Sequence, residues 1–232
     1  MEKSSVKLDV FKVMGDAWEI LRKNFFKSIA GWLLGVAVIL FFHIAMMFCK
    51  IIGLYILSHR AESNEKIFSM ISALLQVAER FCFFLEIFAA CWIMGGLCYY
   101  FLKLARGGCP KLSEIFILDA RAFNLFISAF LIFIGTFVGF LFCIIPGIVL
   151  FLMWSQAFFL IVDRNCGPVE AMRKSVNMMK ENKLKLFFIL IILALIGFLL
   201  NFCTCFLAVI FIAPWKLLIL SCFYSELSID NP

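Results

Sequence analysis

The stretch "CIIPGIVLF", Cys143 to Phe151, lies inside a run from Ala122 to Val162 that contains no Lys, Arg, Asp, Glu or His. As a single helix that run extends about 62 Å at about 1.5 Å per residue, about twice the ~30 Å of hydrocarbon in a bilayer. Pro146 and Gly147, the two strongest helix punctuators, stand in its middle. Pro fits the first turn of a helix, where its missing N–H costs nothing, and Gly eases a tight turn before it. The dipeptide therefore closes a hairpin between two membrane spans.

Composition agrees. With 65% hydrophobic residues and 30 Phe, and a mean hydropathy of +1.06, the chain has more apolar surface than a water-soluble domain of this length hides. Four further windows, Ser28 to Cys49, Phe81 to Leu102, Leu184 to Leu200 and Cys205 to Tyr224, match the roughly 17 to 25 residues of a span. The expected fold class is all-α: a polytopic transmembrane helical bundle of six spans plus amphipathic interfacial helices, forming a single integral-membrane domain over residues 1–232. Its parts are an interfacial helix at 1–27, span 1 at 28–50, an outer loop with an amphipathic helix at 51–80, span 2 at 81–103, an interfacial helix at 112–122, span 3 at 123–144, span 4 at 146–163, an interfacial helix at 168–182, span 5 at 184–201 and span 6 at 205–225. "NFCTC", Asn201 to Cys205, closes a second tight hairpin, and Pro214 predicts a kink or a two-piece helix near mid-depth in span 6.

Orientation follows from Lys and Arg. One side carries Lys12, Arg22, Lys23, Lys27 and their N-terminal neighbours, then Lys103, Arg106, Lys111 and Arg121, then Arg164, Arg173, Lys174, Lys180, Lys183 and Lys185; the other has Lys50, Arg60, Lys66 and Arg80. By the positive-inside rule both termini are cytoplasmic. The net charge of +6 is then a topology signal and an attraction to anionic headgroups, so the expected partners are membrane lipids and no nucleic acid. A charged amphipathic segment precedes span 1 without a signal-peptide cleavage pattern, and span 1 reads as an uncleaved anchor. Most of the 10 Cys lie in or beside spans, where free thiols act as small hydrophobes. Cys203-x-Cys205 has the wrong spacing for a metal or redox pair, so neither metal nor cofactor is expected.

Between the spans lie helical stripes: Phe11, Met14, Trp18, Leu21 and Phe25 in the first segment, and Val169, Met172, Val176 and Met179 in "GPVEAMRKSVNMMKENK", which opens on Pro168 and Glu170. Such helices lie in the headgroup plane. A shorter one begins at a Ser113 N-cap. Asn24, Asn124 and Asn182 stand at similar junctions, and Gly35 and Gly135 follow theirs at one offset, Gly139 and Gly197 at another. Either the chain holds three degenerate units of an interfacial helix plus a hairpin, or apolar segments coincide by chance.

"IIPGI", "SQAFFLIVD", the Pro-Val-Glu-Ala-Met-Arg-Lys-Ser helix, "MMKENKLKLF" and a last span with Pro214 ending in "FYSEL" resemble a widespread set of uncharacterised bacterial integral-membrane proteins, related to the membrane domain ahead of some glycerophosphoryl diester phosphodiesterases. The resemblance covers residues 112–227 and, more weakly, 8–36. It implies an all-helical membrane fold and a bacterial inner membrane, and transfers no catalytic residue. Where many relatives place Tyr after the Pro of the last span, this chain has Trp215 and Lys216.

No Asp lies in the interior of a span, Asp163 standing at the last position of span 4; there is no His-Glu-x-x-His, and the loop around His59 is too short for a phosphodiesterase barrel. An enzyme is not expected. Ionisable groups at membrane depth are functional candidates by default: His43, Glu86 and Lys216. The expectation is a Glu86 to Lys216 ion pair, either lining a polar cavity with Gln156 and Asn201 or bracing the helices with no pathway, while His43 reads as a neutral packing residue. Gly31-x-x-x-Gly35 and Gly135-x-x-x-Gly139 permit close helix approach, within the bundle or in a homo-oligomer. Ile67, Met70, Ile71, Leu74, Leu75 and Ala78 form an apolar face that lies on the outer surface or caps the bundle. Two functions follow: a non-enzymatic module in membrane, lipid or envelope homeostasis, or a permease or channel for a small or lipid-like solute.

Overall fold

The structure is a computed structural model and describes residues 9–60, 65–116, 120–204 and 207–230. Among the described residues the chain is helical with no strand: α1 (Val10–Lys23), α2 (Phe25–Arg60), α3 (Glu65–Ala105), a 3-10 turn (Leu112–Phe116), α4 (Ala120–Phe142), α5 (Ile144–Trp154), α6 (Ala157–Arg164), α7 (Pro168–Met179), α8 (Lys183–Cys203) and α9 (Val209–Asp230). Six segments are long and apolar enough to cross a membrane: α2, α3, α4, α5 with α6, α8 and α9. The chain is a multi-pass membrane protein, because only helices that satisfy their own backbone cross lipid in this way.

Helix length divides the spans into two classes. The α4 helix holds 23 residues, the Ile144–Arg164 segment 21, α8 21 and α9 22. Those are about 31 to 35 Å long and match the bilayer. By contrast α2 holds 36 and α3 41, about 54 and 61 Å. No tilt within the usual ~40° limit fits them inside ~30 Å, so the pair overruns one face of the membrane. The expected outer loop at 51–80 is thus corrected: α2 runs on to Arg60 and α3 starts at Glu65. The charges at Lys50 and Glu79 suggest a loop from sequence, but they neutralise each other across the helix pair at 2.6 Å. The apolar face of that segment belongs to α3 and caps nothing: Leu75 sits beside Gly53 of α2, while Met70 and Leu74 are exposed. Ile67, Lys66, Cys205 and the first eight residues fall outside the described side chains.

The helices form three hairpins, α2 with α3, α4 with α5–α6, and α8 with α9. They converge at the end that carries Lys27, Lys103, Arg106 and Arg164, called the basic end below. The core lies there, built from Val13 and Ala17 of α1, Tyr100 and Phe101 of α3, Leu160 and Ile161 of α6, Ala171 and Met179 of α7, and Leu218, Phe223 and Tyr224 of α9. Toward the hairpin tips Phe41, Phe48, Phe84, Phe133, Phe142, Phe198 and Phe202 are exposed. Lipid tails are as apolar as these side chains, so no hydrophobic force closes the tips on one another.

The turn at the opening stretch is as expected: Pro146 stands in the first turn of α5, which starts at Ile144. Gly147 has a different task from easing the turn. It lies within α5, where a methyl group would strike the Phe140 ring at 2.6 Å, and the backbones of Gly139 and Gly147 pass close together. Gly135 likewise admits the Trp154 ring, Gly31 admits Tyr100 and Gly35 admits Leu97, so both small-residue motifs are filled by packing within the chain. The two-piece form of span 6 is not seen: α9 runs as one helix through Pro214, which stands in its second turn.

The short elements bind the core rather than only the headgroups. In α1 the buried residues are Val13, Ala17 and Leu21, leaving Phe11 and Trp18 exposed. In α7 they are Ala171, Ser175, Met178 and Met179, with Val169 exposed. The stripes read from the sequence are thus buried only in part, at Leu21 and Met179, and the small Ala17, Ala171 and Ser175 bring both helices close against the bundle. The third expected interfacial helix, 112–122, is corrected to the 3-10 turn; its Ile115 is buried against Gly96, where any Cβ would overlap the Ile115 carbonyl.

Span 4 is broken between α5 and α6 at Ser155 and Gln156. One hydroxyl repairs the break: Ser175 Oγ of α7 donates to the Met153 carbonyl at 2.6 Å and accepts from the Gln156 N–H at 3.3 Å. Ser175→Ala leaves two buried backbone groups bare, an expected cost of about 1 to 3 kcal/mol each. Gly96→Ala is expected to destabilise by about 1 to 3 kcal/mol through the forced shift of the 3-10 turn. Gly15→Ala meets nothing within 4 Å and gains up to about 1 kcal/mol of helix propensity. Thermal unfolding in detergent that ranks Gly15→Ala at or below Gly96→Ala contradicts this packing.

Candidate functional site

The intramembrane polar residues singled out from sequence are not gathered in one place. Glu86 pairs with His43, Oε1 to Nδ1 at 2.7 Å, and not with Lys216. The reason is geometric: Glu86 and His43 face each other on the antiparallel α2 and α3, whereas Lys216 is exposed on α9. Glu86 lies about 26 Å along α3 from Lys103, still within the hydrocarbon, where an ionised side chain without a partner is expensive. His43 supplies that partner and is no isolated packing residue. Gln156 is fully buried at the α5–α6 break, its Nε2 donating to Ser155 Oγ at 3.4 Å, and Asn201 is on α8. None of the three main cavities among the described residues is lined by His43, Glu86, Gln156, Asn201 or Lys216.

The α2–α3 pair carries a second charged contact. Lys50 follows His43, and Glu79 precedes Glu86, by one heptad, the repeat that returns side chains to the same seam of two supercoiled helices. Lys50 Nζ and Glu79 Oε1 meet at 2.6 Å, each about half exposed. Beside them a cavity of about 400 Å³ opens between the two helices, lined by Met46, Cys49, Gly53, Leu54, Leu75, Ala78 and Cys82, with Gln76 and Ser72 at its polar edge. Lys50 is about 35 Å along α2 from Lys27, and Glu79 about 36 Å along α3 from Lys103. Measured from the basic end, both thus lie about one bilayer thickness along their helices. The heptad relation of the two pairs was visible in the sequence; the cavity was not, since it needs the register of α2 against α3.

At the basic end the polar groups form a latch. Arg106, just past α3, grips Asp163 of α6 through Nη1 to Oδ1 at 2.6 Å and Nη2 to Oδ2 at 2.8 Å, and the Tyr224 hydroxyl of α9 donates to Asp163 Oδ2 at 2.9 Å. Phe159 stacks on Tyr224 at 5.5 Å. Arg164 Nη2 donates to Ser228 Oγ at 3.0 Å. The bidentate fork joins the ends of two spans with fixed geometry, and the Tyr224 hydroxyl adds the third. Lys103 holds the 3-10 turn by donating to both Glu114 oxygens at 2.8 and 2.9 Å. From the sequence these cations set topology and attract anionic headgroups, and their acidic partners are not legible there because they come from distant segments. A second cavity, about 350 Å³, lies at this end between α1, α3 and α9, edged by Asp16, Glu19 and Glu226.

Hydrogen bonding from Lys103 holds the Glu114 carboxyl below its ordinary value of 4.5. A depressed folded value means this contact stabilises fully above the ordinary value and is lost as pH falls through the depressed one. Glu114→Gln is expected to lower thermal stability at pH 7 and to leave it unchanged below about pH 3, so that the acid limb between about pH 5 and pH 3 flattens; an unchanged acid limb contradicts the clamp. Arg106→Lys loses the fork and is expected to cost about 1 to 3 kcal/mol, read by thermal unfolding. Comparison with protein-family models, curated proteins and solved structures gives no match to this chain.

Proposed function

We propose that this protein is a non-enzymatic module in membrane lipid or envelope homeostasis, with its basic end at the cytoplasmic leaflet and the α2–α3 arm reaching past the opposite one. The observation that carries the proposal is the arm itself: helices of 36 and 41 residues among spans of bilayer length, with an amphipathic cavity at headgroup level. The side-to-side imbalance of Lys and Arg supports the orientation. On α1 and the start of α2, exposed Phe11, Trp18 and Phe26 suit a headgroup boundary, where aromatic rings collect, and the neighbouring cations suit anionic lipid. Membership of the bacterial membrane family that the sequence resembles is part of the same proposal.

The permease reading asks for a polar path through the bundle. At the basic end that volume is filled by Tyr100, Phe101, Phe223 and Tyr224, each at most 1% exposed. Asp163 is the carboxylate best placed for chemistry there, and Arg106 and Tyr224 already occupy it. The module reading therefore fits better than transport or catalysis.

On a cysteine-free background, Lys111→Cys and Ser72→Cys are expected to react with a membrane-impermeant maleimide from opposite sides. Vesicles carrying the protein are expected to stay as tight to amino acids, sugars and ions as empty ones, while deletion of the protein shifts the cell's lipid profile. Saturable solute uptake that is lost in a folded Glu86→Ala variant decides for the permease instead.

A further inference from the structure

We infer that the cavity between α2 and α3 is a binding site for one zwitterionic glycerophospholipid, its ammonium and phosphate read by Glu79 and Lys50. This rests on the lipid-module reading above and names its ligand. Three observations combine. First, the charged pair stands about 35 Å along its helices from the basic end, where a bilayer's headgroups begin. Second, the walls below and above the pair are apolar: Met46 and Cys82 on the membrane side, Leu54 and Leu75 on the outer side. The volume of about 400 Å³ falls in the roughly 300 to 1,000 Å³ range of small-molecule sites. Third, the polar edge is charged but neutral in sum.

That neutrality selects the ligand class. Lys50 has three N–H donors and spends one on Glu79 Oε1, and a carboxylate accepts at both oxygens. The pair can therefore take a phosphate on the lysine side and an ammonium on the glutamate side without separating. A simple anion, such as a fatty acid or a phosphatidylglycerol headgroup, meets Glu79 at the same distance and is repelled; a simple cation meets Lys50. Gln76, exposed at the same edge one helical turn farther out than Glu79, offers amide donors to the phosphate oxygens from the outer side. An acyl chain then lies between the two helices and covers apolar surface that water otherwise touches.

The test uses the full-length protein in a non-ionic detergent, with phosphatidylethanolamine, phosphatidylglycerol and palmitate added in equal amounts and retained lipid read by native mass spectrometry. One phosphatidylethanolamine per chain, kept at least fivefold over the other two, is expected. Ala78→Phe, and independently Gln76→Phe, fill the cavity and are expected to lower retention at least fivefold; circular dichroism and size-exclusion profiles identify which of them fold. The double variant Lys50→Gln, Glu79→Gln is expected to keep a lipid but lose the preference. Preferential retention of phosphatidylglycerol or palmitate overturns the inference, as does equal retention in a folded cavity-filled variant. A dimer that displaces lipid and is dissolved by the same variants also overturns it, assigning the cavity to a second copy. Absence of bound phospholipid with vesicles still sealed to solutes sinks this site alone, whereas saturable uptake sinks the reading beneath it.

Discussion

A bilayer offers a helix about 30 Å of hydrocarbon and no partner for a bare backbone N–H or C=O. Every reversal of this chain answers to that constraint. The Ala122 to Val162 run turns at Cys143, where Pro146 needs no donor partner, and enters α5 within a residue. The α8 to α9 reversal is eased by Thr204, whose hydroxyl donates to the Leu200 carbonyl and accepts from the Ala208 N–H. Where a span is interrupted inside the protein, at Ser155 and Gln156, the loose backbone groups are taken up by Ser175 from another helix. The one pair of helices that ignores the thickness, α2 and α3, gains nothing in lipid from its extra length, and so its excess points to a task outside the hydrocarbon.

Lipid also explains where the core lies. Apolar side chains gain little by leaving lipid tails for one another, so the tips of the three hairpins stay apart and their phenylalanines face outward. At the basic end water is near, and there α1, the 3-10 turn and α7 close over the bundle with small residues, aromatic contacts such as Trp18 on Trp215 at 5.6 Å, and charge pairs. The Arg106, Asp163 and Tyr224 latch and the Lys103 to Glu114 clamp belong to that same closure. The charges that set orientation from the sequence are thus partly spent on joining helices, and fewer remain for headgroups than a count suggests.

Polar residues in the spans show how far a linear reading reaches. His43, Glu86, Gln156, Asn201 and Lys216 were recognisable because a polar group at depth is costly wherever it sits. Which of them meet was not recognisable. Glu86 had two candidate neighbours by depth, His43 and Lys216, and depth alone does not choose between residues on different helices. The choice was made by the helix that lies opposite.

Composition and periodicity by themselves determined that the chain has six segments able to cross a membrane, that Pro146 opens a helix, and that another helix opens at Pro168, because these depend on local backbone preferences and on transfer from water to lipid. Tertiary structure alone decided that residues 51–60 and 65–80 continue two long helices, that Ala17, Ala171 and Ser175 join larger residues in burying α1 and α7, and that Lys50 and Glu79 flank a cavity. Each of those depends on which surfaces face each other. A side chain's neighbours across an interface come from rotation and register of whole helices, and neither quantity is written in the spacing of any one segment.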